Sequence, residues 1–270
     1  MILNKTNNIN CGLFMIATIL LGCFTDTRDD RDNFENPWKW SLLHIAVSDG
    51  DFLQCKHLIE KGVNINSLDK SGDTPIFHCS NVKIAKLLLD NGANLEIENK
   101  RGETPLIASI QRERYDVSRF LIKNGANINV ISNYRATPLS ITCEKNNFEL
   151  VELLLSKGAD VNLKVRKEQT PLHICARYGY IKIGELLIKA EGYVNAKDNL
   201  KQTPLHYAAL NGDLEYVNML LSYGANTSVK DVNGYTPLKI AMKLRPYHGE
   251  FIRPRNRDGV IELLRLAENR

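Results

Sequence analysis

The 270-residue chain lacks an apolar run long enough to cross a bilayer. The one long run, Cys11 to Phe24, has fourteen residues, where a spanning helix needs about 20. No Cys-x-x-Cys spacing occurs among the six cysteines. There is no His-Glu-x-x-His, no Gly-x-Ser-x-Gly, no phosphate-cradling glycine loop and no paired metal-ligand spacing. No catalytic residue, metal ligand or cofactor is therefore assigned. Charge of one sign is also scarce: 35 Lys+Arg face 31 Asp+Glu, and a formal +4 is too mild to indicate nucleic acid.

What is present is repetition. Units begin at Ser41, Thr74, Thr104, Thr137, Thr170, Thr203 and Thr236, with steps of 33, 30, 33, 33, 33 and 33 residues. A period of this length means a solenoid, in which each unit hides its apolar face only by stacking on its neighbours. The clearest copies read Thr170-Pro171-Leu172-His173-Ile174-Cys175-Ala176 and Thr203-Pro204-Leu205-His206-Tyr207-Ala208-Ala209. Thr suits an N-cap, and Pro fits the next position, where no donor is needed. An apolar pair follows in each unit, for example Leu58-Ile59, Leu121-Ile122 and Leu220-Leu221, and predicts a second amphipathic helix. Gly62, Gly92, Gly125, Gly158 and Gly224 should end that helix as left-handed residues. A short extended stretch such as Asn127-Ile128-Asn129 should follow, then a turn.

Motif, period and helix-turn-helix grammar together resemble the ankyrin repeat over residues 38–270. The resemblance implies an all-α solenoid of about seven helix-turn-helix repeats, with short β-hairpin-like fingers along one edge. It implies protein binding on the concave face in place of catalysis. It also gives His44, His173 and His206, which share one motif position, a structural role in hydrogen bonding to backbone between adjacent repeats.

Three repeats depart from the pattern. Repeat two is three residues short, so Cys79-Ser80-Asn81-Val82 leaves no room for the last turn of its first helix. In repeat five the helix-ending glycine slips one place, giving Glu191-Gly192, and repeat seven carries ten extra residues between its helices. Trp38 and Trp40 are expected to cover the first end. Cys55, Cys79, Cys143 and Cys175 read as small buried apolar residues.

The N-terminus reads differently. Leu20-Leu21-Gly22-Cys23 resembles the lipobox of bacterial lipoproteins, in which the Cys receives lipid and the signal is cut before it. Residues 1–22 are then a signal peptide and 23–37 a lipidated Cys23 followed by a tether. Asp26, Asp29, Asp30, Asp32 and Glu35 face only Arg28 and Arg31 there, and no apolar period supports folding. This places the protein in the bacterial envelope on a membrane anchor, with Phe24 favouring the outer membrane over the inner. The alternative is an adaptor or effector acting on host or cytosolic partners, with the N-terminus as export signal or anchor.

Binding candidates lie where the repeat leaves side chains free. At the finger tips these are Tyr134, Arg135, Arg166, Lys167, Leu200 and Lys201, and at the ends of first helices Arg177, Tyr178 and Leu210. Arg and Tyr are the residue types of interface hot spots. Gly72, Gly102 and Gly234 stand two positions before the repeat-start Thr, where Arg135, Glu168 and Lys201 replace glycine in the middle fingers. The expected partner is a protein, with an acidic surface to match the basic tips. No nucleic acid is expected, and the chain is read as a monomer. The Arg-rich insertion at 245–257 is a competing site.

Overall fold

The computed structural model describes residues 40–243 and 256–269. Cys23, Trp38, the segment 1–37 and most of the 245–257 insertion lie outside them. Among the described residues there are helices and no strands. The first helices of the repeats are α1 (Leu42–Asp49), α4 (Pro105–Gln111), α6 (Pro138–Glu144), α8 (Pro171–Tyr178), α10 (Pro204–Asn211) and α12 (Pro237–Lys243). The second helices are α2 (Phe52–Glu60), α3 (Val82–Asp90), α5 (Tyr115–Lys123), α7 (Phe148–Ser156), α9 (Ile181–Lys189), α11 (Leu214–Ser222) and α13 (Arg257–Glu268). First helices pack on first helices and second on second, so the array has two layers.

The repeat-start residues cap in part: the Ser41 and Thr137 hydroxyls accept from the first turn, while Thr74 and Thr104 make no side-chain cap bond. Thr137, Thr170 and Thr203 hold extended φ/ψ with Pro at the first helical position. Between the layers run the fully buried Leu106, Leu121, Leu139, Leu154, Leu172, Leu187, Leu205 and Leu220. Burial of a Leu side chain stabilises by about 1.5–3 kcal/mol, and this row is continuous from repeat to repeat. Cys55, Cys79, Cys143 and Cys175 are buried free thiols within the same core.

The departures have physical reasons. In repeat two a 3₁₀ turn, Pro75–His78, stands where the other repeats have an α-helix. Losing the last turn strands its carbonyls, and the next repeat covers them. Arg112 and Arg114 both donate to Phe77 O, and Arg114 also donates to Cys79 O at 3.2 Å. In repeat five Glu191, not glycine, takes the left-handed position at φ 67°. Gly192 is needed one place later, because a Cβ there would stand 2.7 Å from Leu187 O.

One expectation is corrected. The stretch Asn127–Asn129 is a turn and not extended: Asn129 N–H donates to the Asn127 side chain at 3.0 Å. The fingers are hairpin-like as expected, each a tight turn closed by backbone hydrogen bonds. In the finger before Thr74, Asp69 N–H donates to Asp73 O at 2.9 Å and Gly72 N–H to Asp69 O at 3.0 Å. Trp40 is seated between repeats one and two, with its ring centroid 4.6 Å from that of His78 and its indole N–H donating to Asp69 at 3.0 Å.

Candidate protein-binding surface

The imidazoles are structural. His173 Nδ1 accepts from Thr170 N–H at 3.1 Å, and its Nε2 meets Gln202 O of the next repeat at 3.1 Å. His206 does the same with Thr203 N–H and Tyr235 O, and His44 with Ser41 N–H and Asp73 O. A backbone N–H pointing at Nδ1 fixes the neutral tautomer, with the proton on Nε2. Burial pushes all three below the ordinary imidazole range, His173 to about 4. Repeats two and three have Phe77 and Ile107 in this slot, and there the cap hydroxyls of Thr74 and Thr104 are buried without a partner among the described residues.

A polar cluster with no signature in the repeat motif lies under Trp40. Asp69, Asp73 and His78 bring donor atoms within 4.8 Å of one another, and His78 Nε2 stands 3.5 and 3.7 Å from the two carboxylates. The facing oxygens are already engaged. Trp40 N–H reaches Asp69, and Arg112 Nη2 reaches Asp73 at 3.3 Å. Burial, then the Arg112 charge, holds the His78 imidazole down at about 4. The cluster thus carries its own cation, the same Arg112 that caps the shortened repeat. The three missing residues of repeat two were the signal for it.

The candidate finger residues are brought together. Each tip donates one backbone hydrogen bond to the tip before it: Lys100 N to Ser71 O, Asn133 N to Arg101 O, Arg166 N to Arg135 O, Asn199 N to Lys167 O and Val232 N to Leu200 O, all at 2.9–3.0 Å. The six fingers are therefore one ladder. Arg135, Glu168 and Lys201 keep the turn that glycine makes elsewhere, at φ 55°, 56° and 56°, beside Gly72, Gly102 and Gly234 at 81°, 65° and 75°. At Arg135 and Lys201 the departures change the side chain and leave the turn intact, while in the Glu168 finger Lys167 is left-handed too, at φ 60°.

The helix-end candidates form a second group. Arg177 lies over the Tyr207 ring at 5.1 Å, and Tyr207 donates to Asp198 at 2.7 Å. Tyr178 stacks on Tyr180 with centroids 5.5 Å apart, and Tyr178 and Leu210 are both exposed. Tyr180 was not among the candidates, although its spacing of two from Tyr178 in a turn was visible. Arg112 and Lys145, also at helix ends, are engaged structurally, Lys145 with Glu113 at 2.6 Å.

Comparisons with known proteins agree with this architecture. The family model described as "Ankyrin repeats (3 copies)" matches residues 9–99, 80–165, 131–198 and 172–253. The first match begins inside the segment expected to be a signal peptide. Among solved structures the chain is similar to the human ASB11 ankyrin repeat domain, at a TM-score of 0.69 and 26% identity over 84% of this chain and 98% of that one. No curated protein matches the sequence.

Proposed function

The chain belongs to the ankyrin-repeat family, and from that premise we propose that it is a non-catalytic module that binds a partner protein across its finger tips and first-helix ends. The observation that carries this reading is the finger ladder. Five inter-repeat hydrogen bonds hold Tyr134, Arg135, Arg166, Lys167, Leu200 and Lys201 in one array, exposed yet backbone-rigid. A preorganised surface loses little entropy on binding. Tyr178 and Leu210 add exposed apolar area at the helix ends. Crosslinking followed by pull-down from native membranes tests the reading. Capture of a partner that competes with soluble repeat domain supports it, and capture only of abundant bystanders refutes it.

The same proposal places the module on a bacterial envelope membrane, preferably the outer, through lipid on Cys23. The Leu20-Leu21-Gly22-Cys23 pattern and the acidic stretch behind it support this. Among the described residues no helix is long and apolar enough to cross a membrane. Labelling with a fatty-acid analogue should mark the wild type and spare Cys23→Ala; equal labelling of both refutes the anchor. The family match that starts at residue 9 favours the second reading, an adaptor or effector acting on host or cytosolic partners, with the N-terminus as an export signal or anchor. The mass of the mature N-terminus separates the two.

A further inference from the structure

The charge of this protein is not spread evenly. The six finger turns (residues 70–72, 100–102, 133–135, 166–168, 199–201 and 232–234) hold seven cations, Lys70, Lys100, Arg101, Arg135, Arg166, Lys167 and Lys201, against one carboxylate, Glu168. That is +6 on eighteen residues, more than the +4 of the whole chain. The rim is basic on a body that is not. Glu168 is already paired with Lys164 at 3.2 Å. Lys70, Lys100, Arg166, Lys167 and Lys201 are exposed and make no ion pair among the described residues. Water solvates them in the free protein, which leaves them available to an acidic partner.

The ladder fixes where those charges sit. Each finger is a closed turn, two chains wide, hydrogen-bonded to the next. Neighbouring chains in such a ladder lie about 4.8 Å apart, so successive fingers repeat at about 9.6 Å. A polyproline II segment rises about 3.1 Å per residue with three residues per turn, so its every third side chain returns to the same face at about 9.3 Å. The two periods match. Between the cations stand Tyr134, Leu200 and Val232, which are 64%, 44% and 51% exposed. Two of these three are aliphatic, and so suit apolar side chains of a peptide better than stacked bases.

We propose that the finger rim of repeats one to six docks an extended acidic segment of a partner protein, lying along the ladder with carboxylates at three-residue spacing. This rests on the reading of the chain as a protein-binding module and specifies the chemistry of its partner. Carboxylates facing Lys and Arg at an exposed rim steer encounter and set register, and apolar side chains between them meet the Tyr134, Leu200 and Val232 positions. The backbone strain fits the same role. Arg135 and Lys201 hold positive φ where glycine would be free of cost, and each places a cation on the rim in exchange.

The test uses the full repeat domain and a fluorescein-labelled peptide of six Glu-Pro-Val units, whose polyproline conformation aligns all its carboxylates on one face. Anisotropy should show binding that weakens as salt rises. Arg166→Glu, Lys167→Glu and Lys201→Glu together should reduce affinity at least about tenfold, which is about 1.4 kcal/mol. Lys157→Glu and Lys182→Glu, exposed on the second-helix side, should leave it unchanged. Unaltered circular dichroism and thermal midpoint confirm that both variants fold, and the milder changes to Gln should weaken binding less. A peptide of equal charge with its glutamates clustered should bind more weakly; equal binding overturns the register. Tighter binding of oligo(dT) or heparin overturns the assignment to polypeptide. No binding of the spaced peptide, or binding untouched by the finger reversals, overturns the rim as a site. Should the reversed protein still capture the native partner, the binding-module reading stands and the rim inference falls.

Discussion

Lowering the pH from about 7.5 to about 5 loads the buried imidazoles, and His173 shows how the load arises. In the folded protein its Nδ1 accepts from Thr170 N–H and its Nε2 proton goes to Gln202 O, so an added proton on Nδ1 would face another N–H. Burial with no solvent to share the charge is the largest cause of its fall to about 4. An unfolded imidazole titrates near 6.5. Between these two values the unfolded chain binds the proton and the folded chain does not, so stability falls as pH falls through 6.5 and levels off below about 4. At pH 5 the gap is about 1.5 units, or about 2 kcal/mol for this one residue. His78 is held at about 4 as well, again by burial first and the Arg112 charge second. His44 and His206 are shifted in the same direction by burial. Each adds to the loss in the same direction, against a total of about 5–15 kcal/mol for a typical domain. Urea unfolding followed by circular dichroism at several pH values between about 7.5 and 5 should show a falling midpoint. His173→Gln, which cannot titrate, should make that fall shallower by about one proton. A midpoint that is flat over this range, or a native His173 resonance that titrates at or above 6.5, refutes the reasoning.

Further outcomes follow from particular contacts. Tyr216 buries its hydroxyl with no partner among the described residues, beside Cys143 and Cys175, so Tyr216→Phe should be neutral or stabilise by about 1 kcal/mol in urea unfolding. Gly184→Ala should cost about 1–3 kcal/mol in the same assay, because its Cβ would stand 2.2 Å from the Tyr216 oxygen. Removing the guanidiniums that cap the shortened repeat, Arg112→Ala with Arg114→Ala, should cost about 2–4 kcal/mol and raise hydrogen exchange around Pro75–His78 above that of α4. Arg135→Gly and Lys201→Gly should each leave thermal stability equal or better by up to about 1 kcal/mol, since glycine holds φ near 55° without strain, while partner capture weakens.

The helices were legible because their signals are local and repeated. A Thr-Pro start, a buried Leu row and a closing glycine recur in register, and each has a physical reason within one turn of chain. The histidine slot was legible by the same recurrence. The Asp69–Asp73–His78–Trp40 cluster was not, because it exists only where a deletion removes a helical turn and an arginine from the following repeat, 39 residues on, enters the space. No spacing rule in one repeat reports a contact made by the next. The slipped glycine of repeat five is a similar case, since only the approach to Leu187 O shows why Gly192 had to follow Glu191.

The fingers show the opposite failure. Arg135, Glu168 and Lys201 replace glycine in sequence, yet each keeps the left-handed position that closes its finger; only the 166–168 finger differs, with Lys167 left-handed as well at φ 60°. The reason is the ladder: a finger that abandoned its left-handed residue would break its own closure and the bond to its neighbour, two hydrogen bonds worth about 0.5–1.5 kcal/mol each. Left-handed strain at a non-glycine residue costs about 1–2 kcal/mol, so the ladder is strong enough to hold it. The backbone is thus set by neighbouring repeats, and the tip side chain is free to be chosen for something other than the turn. At Arg135 and Lys201 it adds cations to a rim whose Lys70, Lys100, Arg166 and Lys167 already lack an ion pair among the described residues. A strained turn that gains no internal ion pair from its charge is what the proposed docking rim requires.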